Sequence, residues 1–421
     1  MKKREFLKTL GLAGLTVPFS SKGLEQLLQP YSHFSPEQIA EDDVFWMKIR
    51  EAYALKPDYI NLENGYYSIM PTETLNEYIA QIKMLNLQGS YYMRTKLQDD
   101  RLKTRKQLAD FLSCPVEELI ITRNTTESLD TVISGLDWKP GDEAIMAEQD
   151  YGAMLDMFKQ QAKRYGMKNT VISVPNHPKS DEEIVALYEN AITPKTRLIM
   201  VSHMINITGH IMPVRKICDM ALRHGVKVMV DGAHAIGQFD FKIAELNCDY
   251  YGASLHKWLS VPLGAGMLYV RRTSVRDLWP MFADSSFPDD DIRKLNHTGT
   301  HPVHTELTIP QAIHFHQAIG SKRKEERLRY LQNYWVSRVK DIPSVTVNTP
   351  FDPVRHCAIA NVGINGMTPA DMAKTLFDKY KIWTVAIDQP TVKGCRITPG
   401  VFTSTAELDT LVAAISELAK K

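Results

Sequence analysis

The chain has 421 residues, 44% of them hydrophobic and 24% charged, with 50 lysines and arginines against 49 aspartates and glutamates. A formal charge of +1 leaves no global basic field for nucleic acid and no acidic excess, and the apolar fraction excludes a disordered chain. The length points to two or three domains, each able to bury a core.

In chain order, residues 1–20 come first. MKKREFLKTLGLAGLTVPFS starts basic and continues in an apolar run too short to span a bilayer. No integral membrane segment is expected. The pattern fits the n- and h-regions of a signal peptide. Lys3-Arg4-Glu5-Phe6-Leu7-Lys8 is similar to the twin-arginine export motif, with lysine for the first arginine. Residues 1–30 are therefore expected to be a signal or disordered terminus that directs the chain to the periplasm. The alternative is a frayed basic end on a cytoplasmic protein.

Apolar residues recur at helical spacing from Asp99 to Cys114, and Leu119 to Thr122 reads as a strand. Asn124-Thr125-Thr126-Glu127 then supplies capping side chains for a helix to Leu136. Strands follow at Glu143 to Ala147, Thr170 to Val174, Leu198 to Ser202, Val226 to Val230, Tyr250 to Ser254 and Gly266 to Val270. Helices are predicted between them at Ala153 to Tyr165, Asp181 to Ala191 and Val214 to His224. Short, continuously apolar strands alternating with helices predict an α/β domain, residues 76–305, around a mainly parallel seven-stranded sheet. Leu307 to Trp335 reads as one long basic helix. Beyond it, Val345 to Val347, Ala358 to Ile364, a helix Pro369 to Tyr380, Cys395 to Ile397 and a helix from Thr405 predict a smaller α+β domain, residues 306–421. Residues 31–75 are expected to pack with it.

The five cysteines, Cys114, Cys218, Cys248, Cys357 and Cys395, form no CxxC pair. That predicts scattered buried thiols, with neither a disulfide framework nor a metal site.

Open parallel sheets bind ligands beyond the carboxyl ends of their strands. Polar groups cluster at those ends: Thr125 and Thr126, Tyr151, His203 and Asn206, Asp231 and His234, then Ser254, His256 and Lys257. A carboxylate closing the apolar run Lys227 to Asp231 needs a cation or several donors. A lysine in similarly apolar surroundings is easier to deprotonate and becomes a nucleophile towards carbonyls. An internal Asp231–Lys257 ion pair is the purely structural alternative.

Asp231-Gly232-Ala233-His234 followed by Ser254-Leu255-His256-Lys257 resembles the fold-type-I pyridoxal 5'-phosphate (PLP) enzymes, and among them the class V aminotransferase family. The resemblance runs from about Ile60 to the C-terminus. It implies that Lys257 carries PLP as a Schiff base, that Asp231 pairs with the pyridine nitrogen, and that His234 lies beside the ring. It assigns the phosphate to Thr125, Thr126, Ser254 and His256, in keeping with the anion affinity of a helix N-terminus. Tyr151 would stack on the ring and Asn206 would bond its phenolic oxygen. Thr300, in Thr298-Gly299-Thr300, would reach the phosphate of a neighbouring subunit, which implies a homodimer with shared sites. Arg396 would hold the substrate carboxylate, and Arg94 is a weaker candidate to face the site.

The features are similar to the isopenicillin-N-epimerase-like branch, whose reactions include epimerisation, transamination and elimination. The implied activity is chemistry at the α-amino group and α-carbon of an amino acid or peptide-like substrate, entered through an external aldimine. A cysteine desulfurase or C–S lyase is the alternative, but Ile382 to Thr391 holds no loop cysteine. A non-catalytic PLP-fold binding protein is a further alternative. No G-x-G-x-x-G follows a strand and no P-loop occurs, and Gly252-Ala253-Ser254-Leu255-His256 is not a hydrolase elbow. Tyr66, Tyr67, His203, His301 and His304 are candidates for a second acid or a substrate contact.

Overall fold

The computed structural model describes Gly23, Gln26 and residues 28–420; the basic run and the export signal expected there lie outside them. After a two-residue strand β1 (Ile60–Asn61), seven apolar runs form the main sheet. They are β2 (Leu119–Thr122), β3 (Glu143–Ala147), β4 (Lys168–Ile172), β5 (Thr196–Ser202), β6 (Lys227–Asp231), β7 (Tyr250–Ser254) and β8 (Gly266–Val270). Their order is β2-β8-β7-β6-β5-β3-β4. Only β8 runs against its neighbours β2 and β7; the other pairs are parallel. This is the mainly parallel seven-stranded sheet that the sequence predicts.

Apart from the part-exposed edge strand β4, the strands are largely apolar because both faces are covered. Ile121, Ile145, Val201, Val228, Tyr251 and Met267 enter one core. The alternating residues Ile120, Met146, Met200, Met229, Tyr250 and Leu268 enter the other. A smaller antiparallel sheet joins β9 (Val345–Val347), β10 (Ala360–Ile364), β12 (Val385–Asp388) and β13 (Lys393–Ile397) in the order β12-β13-β10-β9. Strand β11 (Ile382–Trp383) pairs in parallel with β1.

Besides shifts of one or two residues at the ends of β5, β6, β10 and β13 and the unexpected strand β12, two elements depart from the sequence reading. The stretch read as one long basic helix, Leu307 to Trp335, is two helices, Ile309–Ile319 and Ser321–Val339, preceded by a short helix Val303–Leu307. Gly320 breaks it at φ +93°, a left-handed conformation that glycine adopts without cost. Strand β4 lies two residues earlier than its apolar run implied, with its backbone paired to β3. All five cysteines are free, four of them buried.

Candidate functional site

Strands β2, β3, β5, β6 and β7 end side by side, and a cavity of about 320 Å³ opens there, within the usual size range of small-molecule sites. Thr125, Thr126, Tyr151, Asn206 and Asp231 line it. So do His234, Ser254, His256, Lys257 and Arg396. Thr300 does not: it is exposed and outside the cavity of its own chain.

Asn124 caps the helix Thr125–Gly135, its side chain accepting from Glu127 N–H at 2.9 Å. Ser254 Oγ accepts from Thr125 N–H at 2.9 Å and lies 2.7 Å from Thr125 Oγ1. The helix N-terminus, two hydroxyls and His256 thus meet at one end of the cavity. His256 Nδ1 is buried with no hydrogen-bond partner among the described residues. Burial pushes its imidazole down to about 4, so the ring is neutral.

Asp231 is buried at the end of β6 and accepts from Ala233 N–H at 2.9 Å. Burial raises its pKa, opposed by that N–H and by Lys257. Gly232 follows it because a Cβ there would stand 2.1 Å from the Tyr251 ring.

Lys257 forms no ion pair with Asp231; among the described residues its Nζ partner is His234 Nε2 at 3.1 Å. The other face of His234 is held by Trp258, whose indole Nε1–H donates to Nδ1 at 3.3 Å. An indole is donor-only, so Nδ1 accepts and the proton of the neutral ring is assigned to Nε2. That proton points at Lys257 Nζ, which suits a neutral amine and not an ammonium. Burial holds His234 well below its usual range. Burial also brings Lys257 down to about 8, with Asp231 opposing the shift.

Arg396 reaches the cavity already paired. Its Nη2 donates to Glu63 Oε1 at 2.5 Å, and its Nε to Oε2 at 3.3 Å. Nη1 donates to the carbonyl of Asn206 at 3.2 Å. The two side chains are 9% and 7% exposed. Gly65 allows this approach, since a Cβ there would lie 3.1 Å from the guanidinium carbon. Glu63, Gly65 and the hydrogen bond of Trp258 escaped the sequence reading. The only signal for Glu63 was a carboxylate following the apolar Tyr59-Ile60-Asn61-Leu62 run.

The remaining candidates separate. Tyr66 lines the cavity and is 76% exposed. Tyr67 is half-buried, and burial raises its phenol. His203 points away from the cavity, with Nδ1 3.0 Å from Tyr251 Oη, packed edge-on against Phe239 and Phe241. His301 lies by Glu306, whose hydrogen bond raises its pKa, and His304 packs on Tyr78. Arg94 is exposed and does not line the cavity.

Residues 71–386 match the family Aminotransferase class-V. The chain is 28% identical over 394 residues to isopenicillin N epimerase of Amycolatopsis lactamdurans, covering 89% of this chain and 99% of that one. It is 26% identical over 365 residues to a probable cysteine desulfurase of Vibrio cholerae, covering 82% and 88%. Among solved structures it is similar to a variant of C-DES with glycine covalently linked to its PLP cofactor, with TM-score 0.79 and 21% identity over 87% of this chain and 99% of that one.

Proposed function

As a member of the class V aminotransferase family of PLP-dependent enzymes, the chain is one on which we propose chemistry at the α-carbon of an amino acid or peptide-like substrate, with epimerisation the favoured reaction. The observation that carries this reading is the buried Lys257, its ammonium weakened by burial to about 8 and its Nζ 3.1 Å from His234 Nε2, facing the same cavity as Asp231 and the Thr125 helix N-terminus.

The residues fit the cofactor. Thr125, Thr126, Ser254 and His256 would hold its phosphate, and the unpartnered His256 Nδ1 gains a partner there. Asp231 would keep a proton on the pyridine nitrogen, Asn206 would bond the phenolic oxygen, and the Tyr151 and His234 rings would flank the cofactor. When bound, PLP supplies an electron sink for the pair left at the substrate's α-carbon. With substrate bound, the freed Lys257 amine would be placed to act as the base that takes the α-proton. A solvent-facing phenol, Tyr66, stands in the same cavity as a candidate to return a proton. Thr300 is assigned to the site of a second copy, in a homodimer.

Epimerisation is supported by nearly full-length likeness to enzymes named isopenicillin N epimerase. A persulfide-forming desulfurase has less support. Among the described residues, no cysteine lines the cavity. Cys395, beside Arg396, is fully buried, and burial pushes its thiol up to about 12. The N-terminal run leaves periplasmic export as a proposal, tested by fractionating cells that express Arg4→Gln.

Borohydride treatment of PLP-loaded protein is expected to trap the cofactor on Lys257, and Lys257→Ala to abolish the adduct. A full-yield adduct in Lys257→Ala rejects the assignment. Exchange of the α-proton with D₂O across amino acids and peptides then tests the chemistry. Configuration inversion identifies epimerisation; oxo-acid or persulfide release would replace it with transamination or C–S cleavage.

A further inference from the structure

The arginine expected to meet a substrate carboxylate meets one of the chain's own. Glu63 and Arg396 form a two-point pair from side chains 7% and 9% exposed, so water screens it little. Glu63 is held in place: Oε1 also accepts from Tyr66 N–H at 2.9 Å, and Asn64 N–H, next in the chain, donates to Thr398 Oγ1 at 2.7 Å. Its oxygens are turned to the protein, so it neutralises Arg396 without offering an anionic site to a ligand. A free carboxylate entering here would meet a pair of zero net charge and a second carboxylate close behind it.

Donors nevertheless remain. A guanidinium has five N–H bonds. Nε and one N–H of each terminal nitrogen serve Glu63 and Asn206 O. One N–H on Nη1 and one on Nη2 are left at the edge of a residue that lines the cavity. Neutral surroundings with two N–H donors match a carbonyl oxygen better than a carboxylate.

We propose that Glu63 is a specificity-determining residue that selects amines whose neighbouring carboxyl group is neutral, as in the N-terminal residue of a peptide or an amino-acid amide. This deepens the PLP reading and rests on it. Lys257 would still act on the free α-amine; Arg396 would hold the adjoining amide carbonyl.

The test uses PLP-loaded wild type, Glu63→Gln and Glu63→Asp, each first shown by borohydride trapping to carry PLP on Lys257. Matched pairs of amino acids and their amides, including alanine and alaninamide, are titrated against the cofactor's absorption to give dissociation constants without turnover. Wild type is expected to bind amides at least about tenfold more tightly than the acids, a difference of about 1.4 kcal/mol. Glu63→Gln is expected to tighten the acids by about tenfold or more and erase the preference, while Glu63→Asp keeps its direction. A wild type that prefers the free acids or shows no preference overturns the proposal, as does an unchanged ratio in Glu63→Gln. If Glu63→Gln does not fold, the wild-type ratio decides alone. Absence of any PLP adduct on Lys257 is a different failure, that of the cofactor reading itself.

Discussion

At the scale of single residues, the site turns on where one proton sits. Lys257 attacks a carbonyl only as the free amine, and its ammonium deprotonates near 8 instead of near 10.5 because it is buried. The rate at which the apo-protein captures PLP is therefore expected to rise with pH and level off above about 8, as read by stopped-flow absorbance. The Asp231 charge favours the ammonium, so Asp231→Asn is expected to move that midpoint down. Trp258→Phe removes the donor that fixes the His234 tautomer. His234 can then offer Nε2 as an acceptor, and the midpoint is expected to move up towards that of an ordinary lysine. A midpoint unmoved by Trp258→Phe rejects the tautomer argument. The lysine was legible in the sequence from its apolar setting and its distance to Asp231. Nothing in the sequence marked Trp258, since an indole's donor has no sequence signature. Its role exists because the loop after β7 folds back onto His234.

Elements carry the site by their ends. Both faces of the sheet are buried except at its edge strand β4, so the interiors of the covered strands must be apolar, and polar groups are admitted mainly where those strands stop. Such a pattern survives in one dimension, and β2, β3, β7 and β8 have the limits their apolar runs predict. The helix Thr125–Gly135 is tied to β7 by Ser254. Ser254→Ala leaves the buried Thr125 N–H without its acceptor and is expected to cost the apo-protein about 1–3 kcal/mol in urea unfolding. Gly232→Ala drives a methyl into the Tyr251 ring and is expected to cost about 2–3 kcal/mol, with weaker PLP binding because Asp231 moves with it. The break at Gly320 was less legible. Helical periodicity continues on both sides, and the reversal is decided by packing: Phe315 and Ile319 before it, and Leu328 after it, enter the core that also takes Phe45 and Trp46.

Over the whole molecule, the segment before the main sheet ties the smaller sheet to the site. Arg50 makes two bonds to Glu407 of the last helix, at 2.7 and 2.9 Å. Arg327, 1% exposed, donates to Ala40 O and Asp43 and lies over Trp46. Arg327→Ala is expected to lower stability by about 2–4 kcal/mol. It is also expected to loosen protease protection of residues 36–50, measured by limited digestion. The Glu63–Arg396 pair, 333 residues apart, belongs to this scale. The sequence by itself determined the sheet and most of the residues that line the cavity, because continuous burial and strand-end chemistry are local properties written in consecutive residues; the cofactor followed from the motifs' resemblance to a known family. Only the tertiary structure decided that Arg396 is neutralised and that Lys257 faces His234 instead of Asp231. Those depend on side chains brought together by loops and by the return of the chain's two ends, where no periodicity constrains who meets whom.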